Sequence, residues 1–259
     1  MIGSAHSRTR VQPSAGPSTG SSGNPEAGSP LARGRADHVV ALAGLSLLAD
    51  PAGVLYWPEH GLLAVADLHL EKGSSFAARG QFLPPYDTAE TLARLTRLIA
   101  RYAPRVVVAL GDNFHDGGGP GRLIDEDRAN LRDLQRGRDW IWITGNHDPE
   151  PAANIGGSFH DAFALGALTF RHLPTGAAGE IAGHLHPVAR IAHRGRAVSR
   201  RCFAADPTRM VMPAFGAFTG GLNVRDAAFC DLFGTLLFTA HMLGADRLYS
   251  FAAKRCLAD

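Results

Sequence analysis

Short apolar runs separated by turn residues form the beginning of the folded part of the sequence. Gly, Asp-Pro and Glu-His-Gly interrupt the apolar positions, which is typical of consecutive β-strands. The predicted strands are Val39–Leu42, Leu45–Leu48, Val54–Trp57 and Leu62–Val65. After them, apolar residues recur at helical spacing from Leu92 to Tyr102, and the four residues from Asp87 to Glu90 resemble a capping box that begins this helix.

Two further runs, Arg105–Leu110 and Trp140–Ile143, are almost entirely apolar and predict buried strands. A charged amphipathic helix is expected between them, at 122–136. The order strand, helix, strand, helix, strand implies parallel strands joined by right-handed crossovers. The carboxyl ends of these strands then lie at one edge of the sheet, where open α/β proteins bind their ligands.

Polar residues follow each of these three strands. Asp67 and His69 come after the first strand and are two residues apart, so both side chains leave an extended segment on one face. Asp112 follows the second strand, and Asn146 and His147 follow the third. The sequence therefore predicts that these side chains meet at one edge of the sheet.

The second half of the sequence repeats this arrangement. A β-rich stretch at 159–170 precedes His172, and the apolar stretch before Gly183 is followed by His184 and His186. The remaining segments are interpreted as a strand with a glycine-rich loop, a buried helix and a last strand, at Met210–Asn223, Ala227–Met242 and Leu248–Ala252. The predicted helix is too short and too polar to span a membrane.

The composition is that of a globular protein, with 45% hydrophobic and 19% charged residues in a chain of 259. Residues 1–36 differ, because they are rich in Ser, Gly, Pro and Arg and lack hydrophobic spacing. They are expected to be a disordered tail before a single domain at 37–259. The tail accounts for the positive net charge of +2, so the charge of the domain gives no argument for nucleic acid.

The sequence also carries weak indications of cellular location. It has no apolar core of signal-peptide length, and its three cysteines form no C-x-x-C pair. We therefore expect reduced thiols, a cytoplasmic location and no membrane partner.

The candidate ligands combine hard oxygen donors with imidazoles. This mixture suits manganese, iron or zinc better than magnesium or calcium, which prefer oxygen alone. Seven such donors are too many for one tetrahedral ion with an open position but fit two ions that share a carboxylate: Asp67, His69, Asp112, Asn146, His172, His184 and His186. Because two such ions can activate a water and stabilise the attacking and leaving oxygens of a phosphoryl displacement, a phosphoester substrate is predicted.

Taken in order, these motifs resemble those of the calcineurin-like metallophosphoesterases. The resemblance covers residues 60–190 and rests on Asp67-x-His69, Gly111-Asp112, Gly145-Asn146-His147-Asp148, His172 and Gly183-His184-x-His186. It implies an α/β fold, the four-layer metallophosphoesterase sandwich, in which two mixed β-sheets pack face to face and are flanked by helices.

The same resemblance implies a role for each site residue. One metal ion would be held by Asp67, His69 and His186, and the other by Asn146, His172 and His184, with Asp112 between them. His147 would act as general acid or stabilise the transition state beside the scissile phosphate, and Asp148 would orient it.

Longer segments resemble the bacterial ligase-associated DNA-damage-response endonucleases, the PdeM family. These segments are Asp67–Phe76, Pro84–Thr88, Gly111–Asp116, Gly183–Pro187 and Met212–Asn223. This closer resemblance implies a manganese-dependent phosphodiesterase and DNA endonuclease, while the donor chemistry leaves iron and zinc as alternative metals. It also implies an ATP-dependent DNA ligase, a helicase and an exonuclease-like protein as partners.

One position departs from the usual family pattern. Many metallophosphoesterases have a second Asp three residues after the bridging one, where this chain has His115. Asp148 or Asp116 could then be the partner of His147. His115 itself is either a loop residue or a contact to the substrate.

Other candidate substrate contacts have equally plain structural explanations. Arg194 and Arg196 belong to an arginine-rich stretch that could follow a phosphate backbone or form the solvated face of a hairpin. Core packing is the preferred interpretation of Phe215 and Phe218, with stacking on a base as the alternative.

Two other functions are compatible with the same motifs. A nucleotide or small-molecule phosphoesterase would use the same ligands on a different substrate. A non-catalytic scaffold would keep the fold alone, but such scaffolds tend to lose the catalytic His, and this chain retains His147 together with every candidate ligand.

Overall fold

The computed structural model describes residues 39–84, 86–152, 154–234 and 236–259. The predicted tail at 1–36 lies outside this part of the chain. None of the helices in the described ranges is long and apolar enough to cross a membrane.

The first sheet contains seven of the described strands, in the order in which they occur along the chain. They are β1 (Val39–Leu42), β2 (Leu45–Ala49), β3 (Leu55–Trp57), β4 (Leu62–Val65), β5 (Val106–Leu110), β6 (Asp139–Ile143) and β7 (Ser158–His160). Strands β1 to β4 are antiparallel, and β4 to β7 are parallel. The predicted parallel order through β4, β5 and β6 is therefore confirmed, and the three carboxyl ends share one edge.

Helices connect the parallel strands of this sheet. They are α1 (Lys72–Ala77), α2 (Asp87–Tyr102), α3 (Gly119–Arg122) and α4 (Asp125–Gln135). The predicted helix at 122–136 begins only at Asp125, because Leu123 and Ile124 leave helical geometry, with ψ angles of 124° and 157°.

The predicted capping box at the start of α2 is wrong. The helix is preceded by Tyr86, which makes no side-chain cap. The carboxylate of Asp87 accepts hydrogen bonds from the backbone nitrogens of Lys72 and Gly73 instead. The side chain of Asp87, which the local sequence pattern assigns to the cap of α2, thus makes a tertiary contact instead, and this contact fixes the first turn of α1.

The second sheet is also mixed and is formed by strands from the second half of the chain. They are β8 (Ala162–Leu165), β9 (Leu168–Arg171), β10 (Glu180–Ala182), β11 (Pro187–His193), β12 (Arg196–Ala205), β13 (Met210–Val211), β14 (Leu222–Asn223), β15 (Thr239–Leu243) and β16 (Leu248–Ala252). The main path runs β14-β11-β12-β13-β10-β9-β8, with β15 paired to β12 and β16.

The two sheets pack face to face across one apolar core. Leu62, Val108 and Ile143 of the first sheet share this core with Phe170 and Phe203 of the second. The opposite face of the first sheet is covered by apolar side chains of α2 and α4, and that of the second sheet by α5 (Ala227–Phe233). The order of layers is helix, sheet, sheet, helix, which confirms the expected four-layer sandwich.

The predicted helix at Ala227–Met242 is only half correct. Helix α5 ends at Gly234, whose φ of 70° is a left-handed conformation that glycine adopts without steric cost. Thr239–Leu243 is strand β15 instead, with buried and partly exposed residues alternating along it. The apolar run therefore changes from helical to strand periodicity, and its composition alone does not reveal this change. The last predicted strand, Leu248–Ala252, is confirmed as β16.

Candidate metal centre

The loops that follow strands of both sheets meet at one end of the sandwich. Asp67 and His69 follow β4, Asp112 follows β5, Asn146 and His147 follow β6, His172 follows β9, and His184 and His186 follow β10. Because the sheets pack face to face, ligands from the first sheet and ligands from the second lie opposite one another. The structure thus brings all seven predicted metal ligands together.

Four of these residues form one cluster, in which the potential ligand atoms all lie within 4.8 Å of one another: Asp67, His69, Asp112 and His186. The Nε2 atoms of His69 and His186 are 3.3 Å apart. Nε2 of His186 is also 3.3 Å from Oδ1 of Asp67, and Nε2 of His69 is 3.8 Å from Oδ2 of Asp112.

The second cluster surrounds Nε2 of His172. This atom lies 2.8 Å from Oδ1 of Asn146, 3.2 Å from Oδ1 of Asp112 and 3.3 Å from Nδ1 of His184. Asp112 belongs to both clusters, with Oδ2 near the first and Oδ1 near the second. A carboxylate in this position is suited to bridge two cations.

The hydrogen bonding of His172 tests whether these residues fit a metal. Nδ1 of His172 lies 2.9 Å from the carbonyl oxygen of Leu110, which can only accept, so Nδ1 carries the proton. When the ring is neutral, Nε2 is a lone pair that faces the oxygen of Asp112 inside the protein, where the side chain is 3% exposed, and only a proton or a cation between the two atoms relieves their repulsion. Acceptors that converge without a donor are the arrangement expected around a cation, and the residues therefore fit a metal centre.

The backbone at the ligands is strained. Five of the seven have φ angles between 42° and 70°, a region that residues with a Cβ seldom occupy: Asp67, His69, Asp112, His184 and His186. Such conformations cost about 1–3 kcal/mol each and persist where the surrounding structure enforces them, most often at functional sites.

Gly145 allows the loop after β6 to approach the loop after β5. A Cβ at this position would overlap the backbone nitrogen and Oδ1 of Asp112. The backbone nitrogen of His147 donates to that same Oδ1 over 2.9 Å. The glycine therefore lets the Asn146 loop pack directly on the shared carboxylate.

The charges of the buried residues are strongly coupled. Burial disfavours the charged form of Asp112, but the hydrogen bond and charge of His172 outweigh it and lower the pKa of Asp112 to about 2. Burial also opposes protonation of His172, yet Asp112 and Asp67 raise its pKa above the ordinary value. For His69, burial dominates and lowers the pKa to about 3. The carboxylate shared by the clusters is therefore held in its charged form.

The predicted pairing of His147 with Asp148 is wrong. Nδ1 of His147 lies 2.7 Å from the carbonyl oxygen of His115. Oδ2 of Asp148 accepts instead from the backbone nitrogens of Asn113 and Phe114 and from the side-chain amide of Asn113. Asp148 thus fixes the backbone of the Asp112 loop, and it acts on the site through that loop.

Asp116, the other candidate partner of His147, is also used elsewhere. Its carboxylate pairs with Arg122 at 2.7 Å. His115 does lie at the site, because its ring centroid is 5.3 Å from that of His147 and 5.6 Å from that of His69. A contact of the His115 side chain with the substrate therefore stays a prediction, and the structure adds a backbone contact to His147 that the sequence did not indicate.

Arg194 and Arg196 are not brought to this centre. They lie in and just after the turn between β11 and β12. Strand β11 begins directly after His186 and rises about 3.3 Å per residue, so the turn is about 23 Å from the ligands. Both side chains are exposed, as expected for the solvated face of a hairpin.

The reasoning from sequence did not indicate the contacts that three cations make near the centre. Arg94, Arg201 and Lys72 all donate to backbone carbonyls of the loop between β13 and β14. These residues are far apart in sequence, and although Lys72 lies in the segment Asp67–Phe76, no motif links it to Arg94 or Arg201. The available signal was the glycine-rich segment Met212–Asn223, whose many carbonyls need donors.

The family model for calcineurin-like phosphoesterases matches residues 61–198, which is more than half of the chain. The chain belongs to this family. Two solved structures resemble this phosphoesterase. The first is the Pseudomonas putida nuclease MPE, which is 27% identical and superposes with a TM-score of 0.63; the alignment covers 82% of this chain and 98% of the nuclease. Yfce, a phosphoesterase from E. coli, is 15% identical with a TM-score of 0.38, covering 74% of this chain and 98% of Yfce, a likeness too weak to bear on function. No curated protein matches the chain.

Membership of the family agrees with the chemistry of the centre. The phosphoesterase is a hydrolase, and its His and Asp groups can hold divalent metal. Beside them His147 presents an imidazole that is 39% exposed, with Nε2 3.9 Å from Oδ2 of Asp112. A phosphate that reached the metals would therefore meet a group able to move a proton.

Proposed function

We propose that this phosphoesterase is a two-metal phosphodiesterase that cleaves DNA. The observation that carries the proposal is the position of Asp112, whose two oxygens point to two separate ligand clusters. One ion would be held by Asp67, His69, His186 and Asp112, and the other by Asp112, Asn146, His172 and His184. When bound, such ions lower the pKa of a water and neutralise charge on the phosphate.

His147 is the proposed catalytic acid. Its Nδ1–H donates to the carbonyl of His115, which fixes the tautomer and the ring orientation. Nε2 is then the atom that receives a proton from solvent and delivers it to the leaving oxygen of the phosphodiester. Because Nδ1 is held by a neutral carbonyl rather than a carboxylate, the imidazolium has no buried counter-charge from this contact.

DNA is the proposed substrate because the solved relative with 27% identity is described as a nuclease. A cavity of about 830 Å³ supports a polymeric substrate, since Asp148, one of its lining residues, bonds to the backbone of the loop after Asp112, and Arg128 and Arg132 also line it. Guanidinium groups in such a position can contact phosphates beyond the cleaved one.

Manganese is the proposed metal, because mixed carboxylate, amide and imidazole ligands suit it, with iron or zinc as alternatives. A role in DNA repair, with an ATP-dependent ligase, a helicase and an exonuclease-like protein as partners, is proposed from the sequence resemblance alone. Co-purification of a ligase with the tagged protein from its native cells would test this association.

Hydrolysis of bis-p-nitrophenyl phosphate with added manganese tests the catalytic part of the proposal. Asp112→Ala and His147→Ala should each lower kcat by about 10²-fold or more, the effect expected when a proton donor or a metal ligand is lost. His193→Ala, an exposed imidazole in β11, is the matched control. Full activity in both site variants would contradict the mechanism.

The substrate is tested separately. Nicking of circular plasmid and cleavage of single-stranded oligonucleotides should require the same residues as the small diester. Activity on small diesters without cleavage of any DNA would favour the second candidate, a nucleotide or small-molecule phosphoesterase. Protein that binds no manganese and hydrolyses neither substrate would favour the non-catalytic scaffold.

A further inference from the structure

The loop between β13 and β14 is anchored to the metal ligands at both ends. At its start, the backbone nitrogen of Gly216 donates to the carbonyl of Asp67 over 3.1 Å. At its end, the nitrogen of Leu222 donates to the carbonyl of His186 over 3.1 Å. Phe218 is two residues beyond Gly216, so its Cα is within about 7 Å of that anchor. The loop therefore forms one wall of the centre.

The conformation of this loop is fixed by its backbone. Arg201 donates to the carbonyls of Ala214 and Thr219, Arg94 donates to that of Phe215, and Lys72 donates to that of Phe218 over 2.9 Å. Because these bonds go to carbonyls, they hold the loop whatever side chain position 218 carries.

Phe218 is the residue that this rigid loop exposes. Its side chain is 44% exposed, whereas that of Phe215 in the same loop is fully buried. Its φ of 55° lies in the left-handed region, which is unfavourable for a residue with a Cβ. The loop thus keeps a strained backbone and an apolar side chain in water, two costs that the core does not require.

A series of neighbouring contacts links the backbone of Phe218 to His147. Lys72, which binds the carbonyl of Phe218, has its Nζ 5.9 Å from the centroid of the Phe76 ring. Phe76 is next to His115, with ring centroids 5.5 Å apart, and His115 is next to His147. The wall of the site therefore runs from the proposed proton donor to the exposed aromatic ring, with a cation between them.

We propose that Phe218 is a stacking platform for an unpaired nucleobase of the nucleotide that carries the scissile phosphate. An aromatic ring beside a cation is the combination that binds single-stranded nucleic acid, in which the ring stacks on a base and the cation contacts the backbone. Lys72 is the corresponding cation. This inference rests on the proposed function and narrows its substrate class to diesters in which at least one alcohol is a nucleoside.

Diesters with the same leaving group, with and without a nucleobase, test the platform. Thymidine p-nitrophenyl phosphate, as its 3′ and 5′ isomers, has a base, and methyl p-nitrophenyl phosphate has none. Phe218→Ala should lower kcat/KM for at least one thymidine ester about tenfold, mainly through KM, because the stacking of the base on the aromatic ring is lost. The methyl ester should change less than about twofold, since only uniform binding to the base is removed.

Two further variants separate stacking from a structural effect. Phe218→Trp should preserve the preference for the thymidine ester, whereas Phe218→Leu, which keeps apolar bulk without a ring system, should lose it. Tyr249→Ala, which removes a ring of similar exposure on β16, should change neither ester.

The outcomes distinguish this inference from the proposed function. Wild-type protein that hydrolyses both esters, with Phe218→Ala lowering both equally or neither, would overturn the stacking platform and leave the phosphodiesterase standing. Wild-type protein that hydrolyses neither ester with manganese would overturn the proposed function, and the platform with it.

Discussion

The carbonyl oxygen of His115 lies 2.7 Å from Nδ1 of His147, so the residue at the position where an aspartate is usual supports the imidazole through its backbone. A backbone acceptor cannot be protonated and does not depend on the identity of the side chain. The backbone conformation of the loop after Asp112 therefore determines the orientation of the His147 ring.

This geometry predicts a difference between the two histidines. His115→Ala keeps the carbonyl, so the hydrolysis of bis-p-nitrophenyl phosphate should stay within about threefold of wild type. His147→Ala removes the proton donor and should lower kcat about 10²-fold or more. Steady-state kinetics with saturating manganese measure both. Equal and large losses in the two variants would mean that the side chain of His115 takes part in the chemistry.

A second prediction concerns the number of bound metals. Nε2 of His172 is held toward Asn146 and Asp112 by the bond from Nδ1 to the carbonyl of Leu110. His172→Ala removes the ligand atom Nε2 from the second cluster and leaves the first cluster intact. Manganese content after gel filtration, measured by mass spectrometry, should fall from about two ions per chain to about one. The control His193→Ala should retain two ions, and an undiminished metal content in His172→Ala would exclude His172 as a ligand.

The third prediction concerns the close contact at Gly145. Gly145→Ala places a Cβ against the backbone of Asp112, so one of the two loops must move. We expect a loss of about 2–4 kcal/mol of stability together with most of the activity, as for other overpacked buried sites. Gly117→Ala is the matched control, because a Cβ at Gly117 would meet no atom within 4 Å. Urea unfolding measures the difference, and equal stabilities would contradict the packing described.

The core and the site ligands of this protein could be predicted from sequence because both follow from local patterns. Runs such as Val106–Leu110 are apolar without interruption, which indicates a strand buried on both faces. Polar residues directly after such runs must lie at the edge of the sheet. The parallel order of the strands then brings Asp67, Asp112 and Asn146 together with no knowledge of tertiary contacts.

Features that depend on partners distant in sequence were not predictable in this way. The carboxylate of Asp87 is bound by the backbone of Lys72 and Gly73, which no local rule indicates. Asp148 was expected to orient its neighbour His147, but its oxygen is taken by Asn113, which is 35 residues away in the sequence. In both cases a buried polar group found its donors across the fold, since it had to be satisfied somewhere.

A fourth prediction follows from the burial of Asp148. Burial, reinforced by the charge of Asp112 and opposed by donors from Asn113 and Phe114, raises the pKa of Asp148 from 3.8 to about 6. Between these values the folded protein binds more protons at this group than the unfolded chain does, so stability decreases as pH rises through the window. Asp148→Asn cannot titrate. The stability of wild type relative to this variant, measured by urea unfolding in EDTA, should therefore decrease from pH 4 to pH 6 and stay constant above pH 7. A relative stability that increases over this range would contradict the raised pKa.

The fifth prediction tests whether the conformation of the loop that contains Phe218 depends on the two hydrogen bonds donated by the guanidinium of Arg201. Its guanidinium spans two carbonyls, those of Ala214 and Thr219, at 2.9 and 3.1 Å. A lysine has one compact ammonium on a flexible stem and cannot reproduce this planar fork. In Arg201→Lys one of the two carbonyls therefore loses its donor, and the loop should open more often. We expect faster proteolytic cleavage within 216–221 and a kcat/KM for thymidine p-nitrophenyl phosphate lowered about threefold to about tenfold, the effect of a lost hydrogen bond of about 1 kcal/mol.

The neighbouring residue provides the control for this prediction. Arg200 is exposed and, among residues 39–84, 86–152, 154–234 and 236–259, its side chain donates only to the carbonyl of Ser199, so Arg200→Lys makes the same chemical change outside the loop. It should leave both the cleavage rate and the kinetics unchanged. If the two variants behaved alike, the loop would owe its conformation to its other donors, Arg94 and Lys72, and Arg201 would have no special part in it. If Arg201→Lys lowered the rate on methyl p-nitrophenyl phosphate as strongly as on the thymidine ester, the loop would support the metal ligands Asp67 and His186 themselves, because its ends are bonded to their carbonyls.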